Sequence, residues 1–390
     1  MVSTFTSDTP ILDRTTPLPA VKRPRWPIAV GFASGAIIAL AILYFQAYGG
    51  VSRRLPTFVY PLLFALFLQL SVAIHEFAHL LAGRFTGFYC RGVTVCCYSV
   101  MRTILGWRFI FRWKNILAGG GAYMVTLDPN PRDWQLGLMT AAGPVANVAL
   151  LAAVALVPLP LWASSVRWPA CLGAGVTAVV SLLPIGTGSA VSDAAVIIVL
   201  LRGGGAWRRW RAVLCINSLN LQGVPPREWD ASGLDEAASV SGGSGVAWFK
   251  AGLLAYTAAC DRGEFANAAR YLESTLALSP KATPAGRNLI FLEAAFFQAR
   301  RRRDAAAARA WMSDVRPKGV PEESIATAEA AVLLVEGRCA EAGEKASSAL
   351  ERLQGTYVDA ATVRQTIKGL KEILDEAACS DQPGASPRIA

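Results

Sequence analysis

The chain has 390 residues, 53% of them hydrophobic and 17% charged, with a mean hydropathy of +0.37. Soluble domains carry about 25% charged residues, so a wholly water-soluble protein and a disordered chain are excluded. The net charge of +10 does not mark a nucleic-acid binder: residues 1–201 hold 14 Lys/Arg against 6 Asp/Glu, and residues 202–390 hold 24 against 22. The excess lies in the apolar half, where basic residues mark cytoplasmic loops.

Residues 1–25 read as a polar, Pro/Thr-rich cytoplasmic tail. Trp26–Tyr48 is long and apolar enough to span a bilayer, and Lys22, Arg23 and Arg25 precede it. Further spans are expected at about 57–83, closed by Arg84, at 136–157, and at 170–201, closed by Arg202. The last is interrupted by PIGTG at Pro184–Gly188, a break whose freed backbone groups need neighbours to satisfy them. Residues 84–132 carry seven Lys/Arg, whereas the two short loops on the other side carry only Arg53, Arg54 and Arg167. The N-terminus, the middle loop and the C-terminal half are therefore expected in the cytoplasm.

Residues 88–127 do not form a span. Val93–Cys97, Trp107–Arg112 and Ala122–Leu127 are short alternating runs rich in β-formers, and predict two to four strands. Gly, Pro and Ser clusters mark residues 203–245 as a linker.

Residues 246–378 are Ala-rich and helical in period, and residues 379–390 form a tail. The run from Leu253 to Pro280 resembles a tetratricopeptide repeat, with small residues at Ala255 and Ala259, a turn at Gly263 and Ala268 five residues on. Arg303/Ala308 and Gly337/Ala342 repeat that spacing, at offsets of 40 and 34 residues. An ordinary helical bundle is the alternative. The expected architecture is mainly α: a membrane domain over 26–202 with about four spans and a β-rich insertion, then a cytoplasmic helical-repeat domain. That domain is expected to be separable from hydrolysis, so that a chain ending near Ser244 still cleaves a generic substrate.

The second span contains His75-Glu76-Phe77-Ala78-His79, and the chain has no other histidine. Residues four apart share a helix face, so both imidazoles can reach one metal ion, with Glu76 one step round to take a proton from metal-bound water. A catalytic zinc needs a third protein ligand. Among Asp128, Asp133 and Asp193, the acids between residues 80 and 227, only Asp193 lies within an apolar span. His75 precedes Arg84 by nine residues and Asp193 precedes Arg202 by nine, which puts both about 13 Å above the cytoplasmic boundary. The alternative for Asp193 is a helix-pairing role.

With AGPVAN at Ala142–Asn147 and LLPIGTGSAVSDA at Leu182–Ala194, the region from about 57 to 201 resembles the site-2 protease family of intramembrane zinc metalloproteases. The resemblance implies one zinc ion, ligands His75, His79 and Asp193, general base Glu76, and cleavage of membrane-protein substrates within the bilayer near the cytoplasmic face. It also implies that the strand-rich insertion is the family's membrane-associated β region. Ala194 and Ser181 stand where the family usually has Gly and Asn. Counted from Asp133, Asn147 is expected deeper than the metal. The expected location is a cell inner or plasma membrane with both termini cytoplasmic, and a protein partner is expected on the helical repeats. The competing reading is a catalytically silent membrane adaptor whose repeats bind partners.

Overall fold

The computed structural model describes Leu12, Pro56 and residues 58–113, 119–128, 130–158, 164–184, 192–238, 246–282, 284–317 and 320–380. The expected span at Trp26–Tyr48, most of the PIGTG break and the tail beyond Ser380 lie outside the described residues.

Among the described residues, three helices are long and apolar enough to cross a membrane: α1 (Val59–Phe85), α2 (Asp133–Leu156) and α3 (Ser164–Leu182). Their burial is inverted relative to a water-soluble helix. On α1 the buried residues are Ser71, Glu76, His79 and Gly83, while Leu62, Leu66, Phe77 and Phe85 face outward. On α2, Leu136, Gly143, Pro144 and Asn147 are buried, while Leu138, Val145 and Leu156 are exposed. Such a surface is stable against lipid, where polar groups are costly unless they face the bundle interior. Small residues let the helices approach closely. A Cβ at Gly173 of α3 would stand 2.8 Å from the Leu68 backbone nitrogen of α1.

The expected fourth span is not one helix. It is α3, then α4 (Asp193–Arg202), which starts at Asp193. Proline at 184 cannot continue the helix, and Ser192 caps the restart: its Oγ donates to the Leu183 carbonyl at 2.6 Å and accepts from Ala195 N at 3.4 Å. The two ends of the break are thereby tied together.

Between α1 and α2 lies an antiparallel sheet of β1 (Phe88–Val95), β2 (Tyr98–Thr103), β3 (Gly106–Phe111) and β4 (Gly120–Thr126), in the order β3-β2-β1-β4. β2 alternates exposed Tyr98, Val100 and Arg102 with buried Ser99, Met101 and Thr103. Gly106, at φ +97°, makes the β2–β3 turn. β4 lies at an end of this order and starts beside α1, where a Cβ at Gly120 would meet Glu76; a bulge between Cys90 and Gly92 shifts its register on β1.

Residues 203–245 are not a plain linker. They form α5 (Gly204–Gln222) and α6 (Ala231–Ala238). The glycines at 203–205 hide the period from view, yet Trp207, Val213, Ile216 and Leu221 are all buried. Ser218 Oγ accepts from Thr126 N at 2.9 Å and donates to Thr126 O at 3.1 Å. Gln222 Nε2 adds a bond to Thr126 O at 2.7 Å.

The remaining chain is helical: α7 (Val246–Arg262), α8 (Phe265–Ala277), α9 (Pro284–Phe297), a π-turn at Gln298–Arg302, then α10 (Ala305–Ser313), α11 (Glu322–Val335), α12 (Cys339–Thr356) and α13 (Ala361–Ser380). The turn positions Gly263, Arg303 and Gly337 all take left-handed φ, at +76°, +55° and +78°. The alanine five residues after each, Ala268, Ala308 and Ala342, is fully buried. This region is packed on the sheet. Asp359 N donates to the Arg102 carbonyl at 2.7 Å, and Val125, Leu221 and Ala360 form one buried cluster.

Candidate metal centre

The four-residue spacing on α1 turns His75 and His79 to the same side, and α4 brings Asp193 to them. His75 Nε2 lies 3.1 Å from His79 Nε2 and 3.0 Å from Asp193 Oδ2, and His79 Nε2 lies 3.5 Å from Asp193 Oδ1. Among the described residues these three form a group able to hold a metal ion, with ligand atoms within 4.8 Å of one another. Tetrahedral zinc with bonds of about 2.0–2.1 Å requires ligand atoms about 3.3 Å apart, so the spacing fits.

The other ring nitrogens fit as well. His79 Nδ1 donates to the Met139 carbonyl at 2.7 Å, which leaves its Nε2 with a free lone pair toward the centre. His75 Nδ1 is 2.9 Å from Asn147 Nδ2, while Asn147 Oδ1 is buried without a partner among the described residues. Turning that amide over places Oδ1 on Nδ1–H, satisfies the orphaned oxygen, and frees His75 Nε2 for a metal.

Two glycines make room. A Cβ at Gly143 would overlap both imidazoles, and one at Gly120 would overlap the Glu76 carboxylate. Glu76 is 5% exposed and sits beside the first residue of β4. The run AGPVAN thereby acquires a physical reason: Gly143 and Asn147, one helical turn apart, clear and hold the histidines.

Asn147 is not deeper than the metal, as the count from Asp133 had it. Asp133 pairs with Arg211 at 3.4 Å, and Gln135 Nε2 reaches the Thr86 carbonyl at 2.9 Å, so α2 starts outside the apolar layer and the count began too low. The contributions of Met139 and Gly120 were not read from sequence. A backbone carbonyl leaves no residue signature, and the Gly119–Gly121 run reads equally well as a flexible joint. Ser181 Oγ bonds its own helix at the Ala178 carbonyl, 3.0 Å away.

Comparison with curated proteins and with solved structures finds no match. A family model described as peptidase family M50 matches residues 63–378, which takes in α1, the sheet, α2–α4 and nearly all of the helical region. With an HExxH helix among apolar helices and a His-His-Asp cluster at its centre, the chain belongs to peptidase family M50, the site-2 protease family of membrane-embedded metallopeptidases.

Proposed function

We propose that the protein is an intramembrane zinc metalloprotease that hydrolyses peptide bonds in or near transmembrane segments of membrane-protein substrates. The observation that carries this reading is the convergence of His75, His79 and Asp193 on one point, with buried Glu76 beside it. His75 Nε2, His79 Nε2 and the Asp193 carboxylate would hold one zinc ion. A zinc ion so held would supply an acidified water and polarise the scissile carbonyl. Glu76 is the residue that would accept a proton from the water and return it to the leaving amine. Met139 and Asn147 keep the imidazoles aimed, and α1–α3 keep bulk water away. β4 starts beside Glu76 and is one of the two end strands of the described sheet; α5 covers its Thr126 end, so an unwound substrate segment can pair along its Gly120 end and arrive at the centre.

The chain is read as a multi-pass protein of a cell inner or plasma membrane, with both termini cytoplasmic. The helical region is read as tetratricopeptide-like, from its three left-handed turns each followed by a buried alanine. It offers a surface for a protein partner.

The test is metal analysis of the detergent-purified protein beside a cleavage assay on a transmembrane reporter. One zinc per chain is expected, lost in His79→Ala and Asp193→Ala. Glu76→Gln is expected to keep the zinc and lose cleavage by about 100-fold or more. Stoichiometric zinc in Asp193→Ala would remove that residue from the ligand set. Full cleavage by Glu76→Gln would remove the base. A wild-type protein with neither zinc nor cleavage would leave the adaptor reading.

A further inference from the structure

Four helix ends meet where Arg84 closes α1. Gln135 Nε2 donates to the Thr86 carbonyl at 2.9 Å, which sets the start of α2 beside the end of α1. A Cβ at Gly137 would lie 3.5 Å from the Leu200 side chain, which brings the end of α4 to the same place. Arg211 of α5 pairs with Asp133 at 3.4 Å, and Trp207 of α5 is buried in one cluster with Phe88 and Leu136.

Three of these ends carry an exposed arginine next to an exposed apolar side chain: Arg84 and Phe85 on α1, Arg132 and Trp134 at the start of α2, Leu201 and Arg202 on α4. Phe85, Trp134 and Leu201 are 80%, 56% and 77% exposed. A membrane–water boundary accommodates that pairing, with the apolar body toward hydrocarbon and the charged head among the headgroups.

The charges at this end do not balance within the protein. Asp133 is taken by Arg211 and Glu236 pairs with Arg208 at 3.4 Å, while Asp128 Oδ1 accepts from Asn130 N. Arg84, Arg132, Arg202 and Arg209 have no ion pair among the described residues. Helix dipoles account for two of them, because Arg84 and Arg202 lie in last turns, where a cation is favoured. They oppose the other two. Arg132 is the N-cap residue of α2, and the Arg209 guanidinium lies over the first turn of α5, 3.3 Å from where a Cβ on Gly205 would stand. That turn has no acidic residue and no side-chain cap. Two cations held at two positive helix ends are stable beside an external anion. The approach is open, since a Cβ at Gly203 or Gly204 would meet nothing within 4 Å.

We infer that this end of the bundle is a docking surface for acidic phospholipids, with Arg132 and Arg209 reaching lipid phosphates and Arg84 and Arg202 flanking them. Phe85, Trp134 and Leu201 favour a lipid over free phosphate, because a lipid offers hydrocarbon beside its phosphate. The inference rests on the membrane reading of α1–α3 and is independent of the zinc chemistry.

The test uses full-length protein in non-ionic detergent micelles, with a fluorescent phosphatidylglycerol as probe. Unlabelled phosphatidylglycerol is expected to displace it, and phosphatidylcholine is expected to need about tenfold or more as much lipid to do so. Inorganic phosphate at the same concentrations is expected to displace none, and displacement by it would overturn the lipid assignment. Arg132→Gln combined with Arg209→Gln is expected to weaken probe binding about tenfold or more, and Arg84→Gln combined with Arg202→Gln by a similar factor. Should one of these pairs misfold, the other carries the test. Lys368→Gln combined with Lys371→Gln removes the same charge from exposed positions on α13 and is expected to change nothing. Equal displacement by the two lipids, or an equal loss in the α13 control, would overturn the inference. A chain that stays monodisperse without detergent would overturn the membrane reading with it, whereas absence of zinc or of cleavage would leave these readouts untouched.

Discussion

Gly120 and Gly121 are neighbours in sequence with opposite surroundings. A Cβ on the first overlaps Glu76, and a Cβ on the second meets nothing within 4 Å. Gly120→Ala is therefore expected to displace the carboxylate and cut reporter cleavage by about 100-fold while leaving zinc content unchanged, and Gly121→Ala is expected to leave both intact. Comparable loss in the two variants would mean that strand flexibility, rather than clearance over Glu76, is what the glycines provide. Asn147→Leu removes the partner of His75 Nδ1. It is expected to weaken zinc binding about 10- to 100-fold in a chelator competition, without abolishing it. His75, His79 and Asp193 were legible in the sequence because histidine is scarce and because an acid within an apolar run stands out. Asn147 was misplaced in depth, since residue counting fixes depth only when the membrane boundary is known at the start of the helix.

Among the elements, the strands were legible through their alternation, and the expected positions of all three runs fall on or overlap β1, β3 and β4. The break before Asp193 was legible too, through proline and glycine. Helix α5 was not, because its first turn is glycine-rich and its buried face mixes Trp207 and Val213 with Ser218 and Asn220. Those polar residues hold other elements: Ser218 holds Thr126, and Asn220 Oδ1 accepts from Thr362 N at 2.9 Å. Ser218→Ala is expected to lower stability by about 1–2 kcal/mol, read as a lower unfolding midpoint in detergent. In α9, desolvation raises the Glu293 carboxyl from 4.5 to about 7, with a Tyr256 hydrogen bond opposing it. The folded chain then holds that proton more tightly than the unfolded chain. This contribution to stability is complete below about pH 4.5 and is lost as pH rises to 7, on the order of 3 kcal/mol in all. Unfolding midpoints at pH 5 and pH 8 should therefore differ more in wild type than in Glu293→Gln, and parallel shifts in the two would assign the pH dependence to other groups.

At the scale of the whole molecule, the helical region packs against the sheet. Ala360 seals Val125 and Leu221, and Asp359 binds the backbone of β2. A chain ending at Ser244 is expected to lose cleavage of generic and natural substrates alike, and to unfold more readily. Retained cleavage of a generic reporter would restore the picture of a separable domain. The burial of Leu12 among α7–α10 also bears on topology, because both must share one side of the membrane. Three described candidate spans separate them, an odd number. Equal sidedness needs an even number, and we propose the apolar run at Trp26–Tyr48, outside the described residues, as the fourth crossing. Labelling of Ser313→Cys in intact cells should be confined to reagents that enter the cytoplasm, and external labelling would reverse the orientation.

Leu12 also sets an order of events during synthesis. Its hydrogen-bond partners Gln298 and Trp311 are made 286 and 299 residues after it. At about 5–20 residues per second, the N-terminal segment waits on the order of tens of seconds before its seat exists. During that interval α1–α4 are made and enter the bilayer with the segment unattached. Burial of Leu12 can occur only once the helical region has folded, so a buried Leu12 marks a chain completed past Trp311, and in a chain that stalls earlier Leu12 has no seat.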